Sequence, residues 1–219
     1  MYSPVLDSVI NSVPSKKKHA SVAEIAQQPS SPAAQQGRQS LRTFIDLFCG
    51  IGGFHIAAHS LGLDCVFASD IDEEARKAYA HNYGIIPRGD ITGIKANNIP
   101  DHDLLLAGFP CQPFSIIGSR QGFGDPRGTL FFEIARIIRE KQPKAFLLEN
   151  VRQLALINKG ETLRNIIDTL EQLGYYVEYK ILNALNFGIP QKRERILIVG
   201  TRANIGNFSK KKKKVPMKP

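Results

Sequence analysis

The chain has 219 residues, enough for one domain with a full hydrophobic core. Its apolar content of 42% fits a globular protein, and no apolar run approaches the ~18 residues that a membrane-spanning helix needs. The formal charge of +9 invites a nucleic-acid reading, but the stretch from Thr43 to Phe208 balances 18 Lys and Arg against 18 Asp and Glu, so the excess lies in the flanks.

The N-terminus carries no apolar block after a basic start, so no secretory signal is read there. Residues 1–41 are rich in Ser, Gln, Ala and Pro, with Gln27-Gln28-Pro29-Ser30-Ser31-Pro32 at the centre, and read as a flexible arm. Within it, Ser21 to Gln28 has room for two helical turns. From Thr43 onward strands and helices alternate. Thr43 to Phe48 reads as a buried strand and Gly53 to Leu61 as a helix closed by Gly62. Cys65 to Ser69 is the second strand and Asp72 to Tyr83 the second helix. A further strand end is expected just before Asp90. Asp103 to Ala107 is another strand. Thr129 to Lys141 places Leu130, Ile134, Ile137 and Ile138 at helical spacing and stops before Pro143. Ala145 to Leu148 is a fully apolar strand, and Thr162 to Leu173 a helix stopped at Gly174. Tyr175 to Leu182 and Arg195 to Gly200 complete the sheet. The alternation implies an α/β fold with a doubly wound, mostly parallel sheet. Residues 42–208 form this domain, and residues 209–219, with Lys210 to Lys214, read as a basic, disordered tail.

Four strings carry chemistry. The first is Phe44-Ile45-Asp46-Leu47-Phe48-Cys49-Gly50-Ile51-Gly52-Gly53-Phe54. Glycines between a first strand and a first helix let the backbone approach a ligand closely. Asp70 follows Gly50 by twenty residues, where a carboxylate can bind a ribose diol. The spacing is not GxGxxG, which argues against a dinucleotide. The plainer alternative is a tight turn with solvated acids. The second string is Gly108-Phe109-Pro110-Cys111-Gln112-Pro113-Phe114-Ser115, in which a strand ends in a proline-held turn that presents one cysteine. A lone cysteine is more often a small core residue, but the flanking prolines favour a nucleophile. Gly118 to Gly128, with four glycines and two arginines, reads as a mobile cationic loop suited to closing over a substrate. The third string is Glu149-Asn150-Val151 at the end of an apolar strand. A carboxylate there is partly desolvated, which suits a proton donor; it could also serve as a helix N-cap. The fourth is Gln191-Lys192-Arg193-Glu194-Arg195. If the strand pattern begins at its arginines, Arg193 and Arg195 share a face and can bind a base oxygen and a phosphate or carboxylate. A surface charge cluster is the alternative. The three cysteines form no CxxC pair, so neither a zinc site nor a disulfide framework is expected. His55 and His59 lie four apart without a third ligand, so they read as a solvated helix face rather than a metal site.

Taken together and in this order, the strings resemble the DNA (cytosine-5) methyltransferases, especially those of bacterial restriction-modification systems. The match runs from about Arg42 to Arg202. It implies a Rossmann-like fold with an S-adenosylmethionine site formed by Phe48, Gly50, Gly52, Gly53, Asp70, Ile71, Asp90, Ile91 and Pro110, Ile71 packing on the adenine. It implies Cys111 as nucleophile on carbon 6 of cytosine, Glu149 on ring N3, Arg195 on O2, and Arg193 supporting Glu149. Double-stranded DNA is then the partner, with the target base flipped out, and the location is cytoplasmic, in association with the nucleoid. A transfer-RNA cytosine methyltransferase is a related alternative, disfavoured because no Cys-Phe-Thr signature lies between Pro126 and Phe146. A non-catalytic remnant that binds only cofactor or partner is another. Family members continue past the Gln-x-Arg-x-Arg strand into a target-recognition region and two further elements. The chain is therefore expected to be a truncated or split form, with a second polypeptide as a candidate source of recognition. Cys49, where alanine is common, and Asp70, where glutamate is common, are smaller departures.

Overall fold

The computed structural model describes residues 41–110 and 130–202. Six strands form one sheet: β1 (Thr43–Leu47), β2 (Asp64–Ser69), β3 (Leu104–Gly108), β4 (Ala145–Val151), β5 (Tyr176–Asn183) and β6 (Glu194–Thr201). Their spatial order is β2-β1-β3-β4-β6-β5. The first four run parallel, whereas β6 is antiparallel to both β4 and β5. The helices are α1 (Gly53–Ser60), α2 (Glu73–Tyr83), α3 (Leu130–Lys141) and α4 (Glu161–Gln172). This is the doubly wound, mostly parallel sheet that the alternation predicts. No strand forms before Asp90: the segment there contributes a single parallel bridge, Arg88 with Ser69. Pro87 interrupts it, and a proline has no N–H to continue a ladder.

Alternation along β1 sends its side chains to opposite faces. Ile45 and Leu47 enter a large core with Phe146 and Leu148 of β4, the apolar stripe Phe131, Ile134, Ile137 and Ile138 of α3, and Leu163, Ile166 and Leu170 of α4. Phe44 turns the other way, against Ala58 of α1, and Tyr79 of α2 forms a separate small cluster with Cys49 and Ala68. Asp46 shares that second face and is 1% exposed. At the base of the sheet, Asp103 accepts from the backbone N–H groups of Arg42 and Thr43 at 2.7 and 3.2 Å. Lys144 meets its other oxygen at 2.7 Å, and with those two N–H groups it holds the carboxyl down at about 2. Among the described residues, no helix is long and apolar enough to cross a membrane.

Candidate functional site

The site gathers at the carboxyl ends of β1 to β4, where parallel α/β sheets leave a crevice. The chain leaves β1 through Phe48, whose φ of 55° is a left-handed conformation uncommon for a non-glycine residue. Gly50 and Gly52 follow at φ 52° and 95°. At Gly52 a Cβ would stand 2.1 Å from the Tyr83 ring, so the glycine is needed for space as well as for conformation. Tyr83 also donates its hydroxyl to the Gly52 carbonyl at 3.1 Å, which fixes the loop from below.

Asp70, beyond the end of β2, ties this loop to its neighbour. One carboxylate oxygen accepts from Gly50 N–H at 2.8 Å and the other from Asp72 N–H at 2.9 Å. Each oxygen keeps acceptor capacity for a further donor. Asp72 caps α2 through Ala75 N–H at 2.9 Å. Ile71 stands 73% exposed at the rim. Asp90 is also exposed and caps the short turn Ile91–Gly93 through Thr92 N–H at 2.9 Å. Ile91, by contrast, is buried in the large core at 3% exposure, so its side chain serves packing instead of facing a ligand. Gly53 opens α1 at the surface, and Pro110 is exposed two residues beyond β3.

Beneath the loop lies a polar cluster that the sequence did not announce. His55 is buried rather than solvated: its Nδ1 and the Tyr79 hydroxyl are 2.7 Å apart, and its ring stacks on Tyr83. His59, one turn later on the same helix face with its ring 5.9 Å from that of His55, lies near the end of α1 and is exposed. Burial, and secondarily the charge of His59, pushes the His55 pKa down. Neither Asp46 oxygen has a hydrogen-bond partner: the Tyr79 hydroxyl and the His55 N–H face it outside good geometry. Burial, reinforced by the nearby charge of Asp70, raises the Asp46 pKa well above the usual carboxylate range. Burial also raises the thiol pKa values of Cys49 and Cys65, so both are held protonated and unreactive.

The catalytic-type residues meet across β4 and β6. Glu149 is paired with Leu197 and Val151 with Arg195, which places Arg195 diagonally beside Glu149. Arg195 Nε lies 2.8 Å from Glu149 Oε1, each side chain 26% exposed. The expected partner of Glu149 was Arg193. The strand begins at Glu194, so Arg193 lies just outside the pleat, exposed, and the next arginine reaches the carboxylate instead. A second ion pair of opposite polarity, Arg152 with Glu194 at 2.7 Å, runs beside the first. Arg152, Lys192, Arg193 and Arg195 together line a recess of about 490 Å³. Asn150, 2% exposed, donates to the Phe109 carbonyl at 2.9 Å and accepts from Val151 N–H at 2.8 Å. It thereby anchors the chain one residue before Pro110. The sequence showed Asn150 only as part of a string; its buried amide is what gives it a role. Cys111 and the loop Gly118 to Gly128 lie outside the described residues.

A family profile described as C-5 cytosine-specific DNA methylase matches residues 42–219. The chain belongs to that family. Among its relatives, the Type II methyltransferase M.NgoBI of Neisseria gonorrhoeae is 58% identical over 161 residues, covering 74% of this chain and 51% of that one. The Type II methyltransferase M.HhaI of Haemophilus parahaemolyticus is 52% identical over 167 residues, covering 75% and 51%. The chain spans about half the length of these relatives. The crystal structure of the Dnmt2 methyltransferase of S. pombe superimposes with a TM-score of 0.62 at 29% identity, over 77% of this chain and 53% of that one. The sheet is thus that of a C-5 cytosine methylase, and S-adenosylmethionine is the family's methyl donor. The loop suits such a cofactor: the left-handed turns at Phe48, Gly50 and Gly52 bring backbone close, Asp70 retains acceptor capacity, and Ile71 offers an apolar face.

Proposed function

We propose that this chain is the catalytic part of a DNA cytosine-5 methyltransferase of a bacterial restriction-modification system, acting in the cytoplasm on DNA. The observation that carries the reading is the Glu149–Arg195 pair at 2.8 Å. Ring N3 and carbonyl O2 are adjacent on one edge of cytosine. A carboxyl group and a guanidinium side by side match that edge, Glu149 at N3 and Arg195 at O2. Carbon 5 of cytosine is a poor nucleophile. Attack of the Cys111 thiolate on carbon 6 makes it an enamine carbon, while Glu149 holds and protonates N3. Bound S-adenosylmethionine supplies a sulfonium methyl group for carbon 5. Loss of the carbon-5 proton to a base then breaks the carbon–sulfur bond and releases Cys111. The burial that disables the other two thiols supports the choice of Cys111. Phe48, Gly50, Gly52, Gly53, Asp70, Ile71, Asp90 and Pro110 would hold the cofactor, with Arg193 at the basic recess against the DNA backbone.

The half-length match to the relatives supports a further element of this reading. Base-edge readout comes from polypeptide outside these 219 residues, in the same or a second chain, and the basic flanks add only phosphate contacts. The test is covalent trapping on DNA containing 5-fluorocytosine, in the presence of S-adenosylmethionine and the product of the neighbouring reading frame. The wild-type chain should form a denaturation-resistant adduct, Cys111→Ser none, and Glu149→Gln and Arg195→Ala far less. Trapping by the Cys111→Ser variant removes Cys111 from the role; absence of trapping by every form favours a non-catalytic protein.

A further inference from the structure

The outer edge of the sheet carries a pattern that the methyltransferase reading does not use. β5 is an eight-residue terminal strand, paired on one side with β6 over its whole length without a bulge. A long, regular strand edge presents an unpaired row of N–H and C=O groups and is a template for another strand. Edge strands are normally blunted by shortness, a bulge, proline or lysine, and of these β5 has only Lys180. Lys180 stands two residues after Glu178, both are exposed, and neither has an ion-pair partner among the described residues.

We propose that β5 pairs antiparallel with β5 of a second copy of this chain about a two-fold axis at Tyr179. In antiparallel pairing, directly opposed residues either exchange both hydrogen bonds or neither, so they share odd or even parity. A two-fold axis therefore passes through one residue opposed to itself. At position 180, lysine meets lysine; at position 178, glutamate meets glutamate. At position 179, Glu178 of each copy meets Lys180 of the other, twice, on the outer face. Val177 then meets Ile181, also twice, and Tyr179 meets itself, on the face that carries the large core. Tyr179 and Ile181, 42% and 39% exposed in one copy, become covered. The interface is isologous and closes as a dimer, doubling the six-stranded sheet. Because β5 runs antiparallel to its mate, the carboxyl ends of β1 to β4 in the two copies face opposite ways, and each keeps its own open crevice.

Sedimentation velocity over a concentration series, on the full chain, tests this without reference to activity. Wild type should move from monomer to dimer. Glu178→Lys and Lys180→Glu each place two like-charge pairs in the interface and should weaken association by about 100-fold. An equimolar mixture of the two variants restores both opposite-charge pairs and should dimerise as wild type does, as should the double variant alone. Circular dichroism checks that these surface substitutions leave the fold intact. Wild type that stays monomeric at its highest soluble concentration overturns the proposal. So does a dimer indifferent to the single reversals, or a pair of monomeric variants that fail to associate when mixed.

Discussion

The two faces of the sheet are built on different terms. Against α3 and α4 lies a continuous apolar core in which every side chain has apolar neighbours. Against α1 and α2 the packing is divided into two small clusters threaded by Asp46, His55, Tyr79, Cys49 and Cys65. The first arrangement maximises burial of apolar surface, the main favourable contribution to folding. The second leaves a carboxylate buried without a partner, which lowers stability. That polar face is also the one that supports the loop from Phe48 to Gly53. Strained or unsatisfied groups cluster where a fold is shaped for binding.

This contrast breaks most visibly on the apolar side. Ile134→Ala removes a fully buried side chain between helix and sheet. It should cost about 2–5 kcal/mol in urea unfolding, while any protein that remains folded binds S-adenosylmethionine normally. Gly52→Ala tests the other face. It forces a Cβ into a left-handed position against the Tyr83 ring and should cost about 1–3 kcal/mol. Calorimetry should show cofactor binding weakened by far more than that stability change alone would produce. Unchanged affinity would mean the loop is not the cofactor cradle.

A gain is expected from Asp46→Asn. The Asp46 pKa is raised in the folded state, so its contribution is complete below about pH 4 and is lost as pH climbs toward the folded value. The amide variant should therefore be more stable than wild type by about 1–2 kcal/mol at pH 8, with the advantage shrinking on acidification. A thermal-melt series across pH 4 to 8 checks the sign, and a variant less stable at pH 8 would show that the carboxylate is compensated. The smallest effect belongs to the base of the sheet. Asp103, with its carboxyl held at about 2, contributes stability above the unfolded value of 3.8 that is lost as pH falls toward 2. Asp103→Asn should cost about 1 kcal/mol at pH 7 and nothing near pH 2. Equal loss at both pH values would assign the effect to packing.

Local pattern was enough for the alternation of strands and helices, because the period of apolar residues is itself the record of which face is buried. It placed the stripe of α3, the stop at Gly174 and the glycine loop, and the order of the four strings carried the family. It assigned Arg193 to support Glu149, whereas Arg195 reaches that carboxylate. That depended on where β6 begins and on its antiparallel register with β4, a pairing between segments more than forty residues apart. It also misjudged His55, since a histidine on a short helix becomes a core residue only when Tyr79 and Tyr83 of another helix close over it. Nothing in the sequence singled out Asp46; its burial and the lack of a hydrogen-bond partner for either carboxyl oxygen arise only in the folded sheet. Residue spacing along one segment determines local conformation; which polar groups lose water, and beside what, is decided by chain segments that meet only in the tertiary fold.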